Sequence, residues 1–317
     1  MSIFFSILVN NIIPIFILIS LGILIDKKFI LDINTLTKIS LYLIMPAFIF
    51  VSVFSTDLSS NLIWVILFNL GLLLVNFIIG ANVARLLKLP NITKRAFENT
   101  LMFTNSGNIG ISLITLVFTN PPFAPAAAPY LDIVISVQVM VLLVQNIMVS
   151  TFGLINSGGD EITWKEGLRL MKNMPSSYAV FCALLFKLLP FDFTATPVWP
   201  ALEFLRNGLM STALLSLGVQ ISKTPMDFKK ITPYVASFFR LIVSPVAAYF
   251  LIRLFGFEGV VAQALLISSS TPVAINVVMQ TVEYKGDADF CVQTVALSTL
   301  LSALTMTIAV YLAYVLF

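Results

Sequence analysis

Histidine is absent from the 317 residues, and cysteine occurs only twice. Without histidine the chain lacks the commonest metal ligand and the usual near-neutral proton carrier. No metal, cofactor or histidine-based catalysis is therefore expected, and the chain does not read as an enzyme. Cys182 and Cys291 lie far apart, in or beside apolar runs, and each reads as a small buried hydrophobe. Charge is also scarce. Asp, Glu, Lys and Arg make up 10% of the chain, against about 25% in soluble proteins. The net charge of +3 comes from basic residues scattered through short loops, so it is no nucleic-acid signal. No soluble domain interrupts the chain.

What remains is 59% hydrophobic. Apolar runs of roughly twenty residues recur along the whole length, which defines a polytopic helical membrane protein. Ten spans are expected, at 3–25, 35–55, 61–86, 93–118, 129–153, 170–190, 198–222, 232–254, 258–282 and 288–316. The first run has no basic residue before it and no cleavage pattern after it, so it reads as a span rather than a secretory signal. Of the 18 basic residues, 15 fall in or beside the loops after spans 1, 3, 5, 7 and 9, with Arg240 counted among them. These loops are then cytoplasmic and both termini lie outside.

Within the fourth span the chain reads Thr104-Asn105-Ser106-Gly107-Asn108-Ile109-Gly110. Glycine costs about 1 kcal/mol per helix position against alanine, and Asn and Ser favour turns and caps. A deliberate helix break is expected here. Such breaks are tolerated at bilayer depth where they are buried or line a cavity. The alternative is a polar contact between helices, where small residues let backbones approach. The ninth span carries a second stretch of this kind, Ser268-Ser269-Ser270-Thr271-Pro272-Val273-Ala274-Ile275-Asn276. Its proline removes a donor and clashes with the preceding turn.

Ten spans also divide into two sets of five. A constant offset of 168 pairs Arg85 with Arg253, Ala96 with Ala264 and Asn108 with Asn276. Five is odd, so a second set that follows the first enters the membrane from the other side, and the halves are inverted. Paired interrupted helices in two such halves point to a transporter site near the midplane. The halves span 1–153 and 170–317, joined by a polar cytoplasmic linker at 154–169 that contains Asn156-Ser-Gly-Gly-Asp-Glu161.

A broken helix exposes an N-terminal end that favours anions and a C-terminal end that favours cations. Two dipoles do not hold a desolvated carboxylate alone, so amide donors from Asn105, Asn108 and Asn276 are expected to help, unless Asn108 caps the half-helix instead. Ser270 and Thr271 beside Pro272 can donate to a ligand or cap the break. Gln138 and Gln145 are seven apart on one face of span 5, where they can meet ligand or bond between helices. No basic side chain is expected near either break, so no ion-pair clamp. Asp57, at the end of span 2, and Glu98, seven residues before Asn105, are candidates for coupling. Each has a plainer role available, as a solvated loop acid and as a partner of Lys94 or Arg95.

The chain resembles the auxin efflux carrier family, which includes bacterial organic-acid permeases and the plant PIN carriers. The resemblance is carried by Leu43-Ile-Met-Pro46-Ala-Phe, Asn105 to Gly110-Ile111, the Asn173-Met174-Pro175 opening of span 6, Arg240-Leu-Ile-Val-Ser-Pro245, and Thr271-Pro272-Val-Ala274-Ile-Asn276 followed by Ala296-Leu-Ser298-Thr-Leu-Leu-Ser302. It departs at Ser112 and Met174, where the family often has proline after the fourth-helix glycine and an unbroken Asn-Pro. The resemblance implies an all-α fold of ten helices, like that of the bile-acid symporters. In it, broken helices 4 and 9 cross at the substrate site. It also implies a scaffold of spans 1, 2, 6 and 7, a moving bundle of spans 3–5 and 8–10, and Asn105 as the leading substrate contact. The implied activity is alternating-access transport of a small carboxylate, malate-like or auxin-like, in a bacterial cytoplasmic membrane. Coupling to H+ or Na+ and assembly as a homodimer stay open, as do a sodium symporter and a non-transporting sensor built on the same fold.

Overall fold

The computed structural model describes residues 3–55, 61–123, 128–158, 175–189, 192–224, 227, 229–283 and 286–317. Asp57, the Asn173-Met174 element and linker residues 159–169 lie outside them. Among the described residues the regular structure is helical. Helix α1 is Ile3–Phe29. Helix α2 combines Ile33–Ile39, a wide turn at Ser40–Ile44 and Met45–Ser55. Helix α3 is Asn61–Leu86. Two short helices follow, α4 at Asn91–Met102 and α5 at Ser106–Thr119. Helix α6 is Leu131–Ser157, α7 Pro175–Leu188, α8 Val198–Ser222 and α9 Thr232–Phe255. A second short pair, α10 at Gly259–Ser269 and α11 at Asn276–Glu283, precedes α12 at Ala288–Leu316. Five of these helices, α1, α3, α6, α9 and α12, are long and apolar enough to cross a membrane. Helix α6 runs a turn past the expected end of its span, into the start of the proposed linker.

Prolines shape three of the long helices. The π-helical turns Leu8–Ile12, Ser40–Ile44 and Phe239–Val243 each stop two residues before a proline, at Pro14, Pro46 and Pro245. A proline ring clashes with the carbonyl four residues back and cannot donate to it. In each case that carbonyl sits inside the wide turn, which makes room for the ring without ending the helix. The turn in α9 contains the buried Arg240.

The packing sorts the helices into two groups. Helix α8 lies along α1 and also touches α2, and α7 packs on α2. In the second group α3 packs on α4, α6 and α9, α10 packs on α6, α9 and α12, and α9 packs on α12. Helices α1 and α8 approach closely at Gly22 and Gly218, whose α-carbons face one another. Large apolar side chains such as Leu24, Phe204, Phe250 and Leu304 cover the outside. The buried interior holds Asn11, Asn69, Asn99, Gln138, Arg240 and many hydroxyls. A polar inside and an apolar outside suit a lipid solvent, where helices associate through small residues and hydrogen bonds.

At one end of α1, Asp26 accepts from the Lys223 ammonium at 3.0 Å and from the Leu31 N–H at 3.0 Å. Asp26 is buried, whereas Lys223 is 36% exposed and can return to water if its partner is removed. The two truncations are therefore expected to differ. Lys223→Met strands a buried carboxylate and lowers the melting temperature more than Asp26→Asn, which keeps an acceptor for Leu31. Thermal unfolding of both variants in detergent checks the order.

Candidate functional site at the crossing of two interrupted helices

Helix α4 stops at Met102, and Phe103 turns extended, with φ −100° and ψ 123°. Helix α10 stops at Ser269, three residues before Pro272, whose ring disfavours helix in the residue preceding it. The two extended stretches meet as an antiparallel bridge, Thr104 opposite Val273. The Asn105 N–H donates to the Pro272 carbonyl at 2.8 Å, and the Ala274 N–H donates to the Phe103 carbonyl at 2.9 Å. Each break thus supplies the partners that the other lacks, which is what buried backbone requires. The Val273 N–H donates to Ser298 Oγ at 3.3 Å, fixing the bridge against α12.

The end of α10 is fully accounted for. Its last four carbonyls receive no N–H from the regular i, i+4 ladder. Leu266 O accepts from Ser269 Oγ at 2.7 Å, Ile267 O from Ser270 Oγ at 2.6 Å and Ser268 O from Thr271 Oγ1 at 2.8 Å. The fourth, Ser269 O, accepts from the Arg240 guanidinium. Ser270 and Thr271 are fully buried, and their hydroxyls cap the break.

Arg240 corrects two expectations. It was counted as a basic residue beside a cytoplasmic loop, and no cation was expected near either break. Instead its side chain is 0% exposed. One nitrogen donates to Leu101 O, at the end of α4, at 2.8 Å, and another to Ser269 O, at the end of α10. Arg240 lies within the π-helical turn of α9. Charge counting along the chain misassigned it because it sits only eight residues after Thr232, where α9 begins. The apolar run around it was the signal that it lies within the helix.

On the other side of the crossing is a cavity of about 90 Å³. That exceeds the ~10–15 Å³ of such space that a single water needs. Its wall includes the first turns of α5 and α11, with Ser106, Gly107 and Asn108 on one and Asn276 on the other. Helix α6 adds Gln145 and Asn146, and α2 and α8 add Ser40, Ser216 and Gln220. No acidic or basic side chain is among the described lining residues. Asn105 caps α5, its Oδ1 accepting from the Asn108 N–H at 3.2 Å. Its Nδ2 is buried and has no partner among the described residues; nor do Thr104 Oγ1, Ser40 Oγ and Ser216 Oγ, from residues that also line the cavity.

Of the residues singled out from the sequence, Asn105, Asn108, Gln145 and Asn276 line this cavity, while Ser270, Thr271, Pro272 and Gln138 do not. Gln138 holds the break from behind, its Nε2 donating to Ser106 O at 2.7 Å. Gln145 Oε1 accepts from the Thr104 N–H at 3.2 Å. Glu98 is buried in α4 away from the cavity, with Asn156 Nδ2 at 3.1 Å and Lys94 at 4.0 Å. Ser40 and Ser216 were not singled out. Lone hydroxyls in apolar runs carry no pattern that separates a wall residue from a helix contact.

Interrupted helices that cross inside an apolar helical assembly define a membrane protein with a polar site at the crossing. The model of the family described as membrane transport protein matches residues 160–310, slightly under half of the chain. An uncharacterized transporter of Methanocaldococcus jannaschii is 28% identical over 108 residues. That alignment covers 34% of this chain and 35% of the relative's own length. Both matches are to transport proteins, and they support an auxin efflux carrier family transporter, in line with the motifs.

Proposed function

We propose that the chain is a secondary transporter of a small organic anion, which binds in the cavity at the crossing and is carried by alternating access. The observation that carries this is the buried, unpartnered Nδ2 of Asn105 beside the first turns of both α5 and α11. An orphaned buried donor costs about 1–3 kcal/mol, and an acceptor in the cavity would recover that. Two helix N-terminal ends face the same space and favour negative charge. A wall whose described residues carry no charge keeps binding weak and reversible, as a carrier needs.

The position of the cavity fits movement. It lies between α2 and α8 on one side and α5, α6 and α11, with the extended segments that precede α5 and α11, on the other. We take α1, α2, α7 and α8 as the scaffold and the remaining helices as the moving bundle. The two groups are then drawn equally from two inverted repeats, in which Asn108 and Asn276 are equivalent residues. Ile33 and Gln220 line the cavity from the ends of α2 and α8 that carry Lys38 and Lys223. With those ends cytoplasmic, this is an inward-facing state.

The test is thermal stabilisation by a panel of malate, other dicarboxylates, monocarboxylates and aromatic acids, on the wild type and Asn105→Ala. An acid that stabilises the wild type is expected to bind Asn105→Ala about 10–100-fold more weakly, the loss of one hydrogen bond to a charged group. Equal stabilisation of both proteins, or of neither by any acid, refutes the site. An acid that binds but shows no counterflow in liposomes would instead favour a sensor.

A further inference from the structure

Two helix C-terminal ends meet at the crossing, those of α4 and α10. Each carries roughly half a negative charge. Left bare and buried beside each other they would attract a cation, and carbonyl ends of broken helices do coordinate Na+ or H+ in transporters of this general plan. Here Arg240 bridges them, bonded to Leu101 O and to Ser269 O. A guanidinium stays charged inside proteins and presents its donors as a planar fork, so it can engage two carbonyls at once. One positive charge balances about two half charges. The other three terminal carbonyls of α10 are already taken by Ser269, Ser270 and Thr271.

We propose that Arg240 is the resident cation of the crossing: it fills the carbonyl pair that a coupling metal ion would otherwise occupy, so that the protein neither binds nor requires sodium. The charge balance then has a second consequence. With the two C-terminal ends neutralised, the uncompensated dipole ends are the N-termini of α5 and α11, and both face the cavity. Together they amount to about one positive charge, the complement of a single carboxylate. Arg240 acts on the ligand only through this balance and through the position of the two breaks. It is a positioning residue. That sodium plays no part in transport rests on the carrier reading above; that the guanidinium fills the carbonyl pair does not.

The test uses the full-length protein in detergent and needs no transported acid. Wild type is expected to show no saturable 22Na+ binding and the same melting temperature in sodium chloride as in choline chloride of equal ionic strength. Arg240→Gln is expected to melt lower and to regain part of the loss in sodium chloride only, as the ion enters the vacated carbonyl pair. Arg240→Lys keeps the charge but reaches one carbonyl at a time, so it should melt between the two without a sodium response. Sodium-specific stabilisation or saturable 22Na+ binding in the wild type overturns the proposal. So does an Arg240→Gln variant as stable as wild type, or one destabilised but not helped by sodium, which would make Arg240 a structural anchor only. If Arg240→Gln does not fold, the wild-type and Arg240→Lys arms still decide. Failure of the carrier reading shows separately, in the acid panel.

Discussion

Gly218→Val is expected to prevent α8 from docking on α1, and Gly22→Val to do the same from the other side. A β-carbon on Gly218 would collide with the Ile19 carbonyl oxygen, and one on Gly22 with the Leu215 carbonyl oxygen. The obstacle is helix backbone in both cases. It cannot swing aside as the end of a long side chain can, so the helices must separate and lose the dispersion contacts along their length. Overpacking a core that can adjust costs about 1–3 kcal/mol, and this contact should exceed that range. The measurement is thermal unfolding with size-exclusion profile in detergent, with Gly208→Ala as the control. Gly208 lies in the same helix, and a β-carbon there meets nothing within 4 Å. The control should be neutral or more stable by up to about 1 kcal/mol, from helix propensity alone. Equal behaviour of Gly208→Ala and Gly218→Val would show that the close approach is not what joins α1 to α8.

Much of this architecture could be read along the chain because it is written in hydropathy and in helix breakers. The apolar runs placed helix ends to within a few residues, and Gly107, Gly110 and Pro272 marked both breaks, since glycine, proline and clustered Asn and Ser all disfavour an uninterrupted helix. What could not be read was the use of each polar side chain. Gln138 and Gln145 share a helix face by spacing, yet the break bends past them. One reaches Ser106 O behind it, and the other reaches the Thr104 N–H and the cavity. Ser270 and Thr271 were open between ligand and cap, and only the carbonyl accounting at the end of α10 separates these roles. Arg240 was misplaced because a charge in an apolar run is ordinarily assigned to the nearest loop. Its partners are carbonyls 139 and 29 residues away, which no local pattern reports.

The hold that Gln138 has on the first break can be measured without a ligand. A β-carbon on Gly110 would lie 2.5 Å from Gln138 Nε2, the atom that donates to Ser106 O. Gly110→Ala should therefore push the amide away and leave the buried Gln138 N–H without its acceptor, while the Ser106 carbonyl keeps the Ile111 N–H. That costs about 1–3 kcal/mol, offset by up to ~1 kcal/mol of helix propensity gained over glycine. Gln138→Ala should lose the same bond outright. In the double variant the added methyl group meets no amide, so the second substitution should cost almost nothing beyond the first. A double-mutant cycle on unfolding free energies is expected to show about 1–2 kcal/mol of coupling, well outside the ~0.5 kcal/mol within which independent sites add. Additive losses would mean that the first turn of α5 is held by something other than Gln138. The same cycle reaches function, because Ser106 belongs to the cavity wall and Gln138 does not. A weaker response to a stabilising acid in Gly110→Ala would come from a displaced helix N-terminus, with every direct contact still in place.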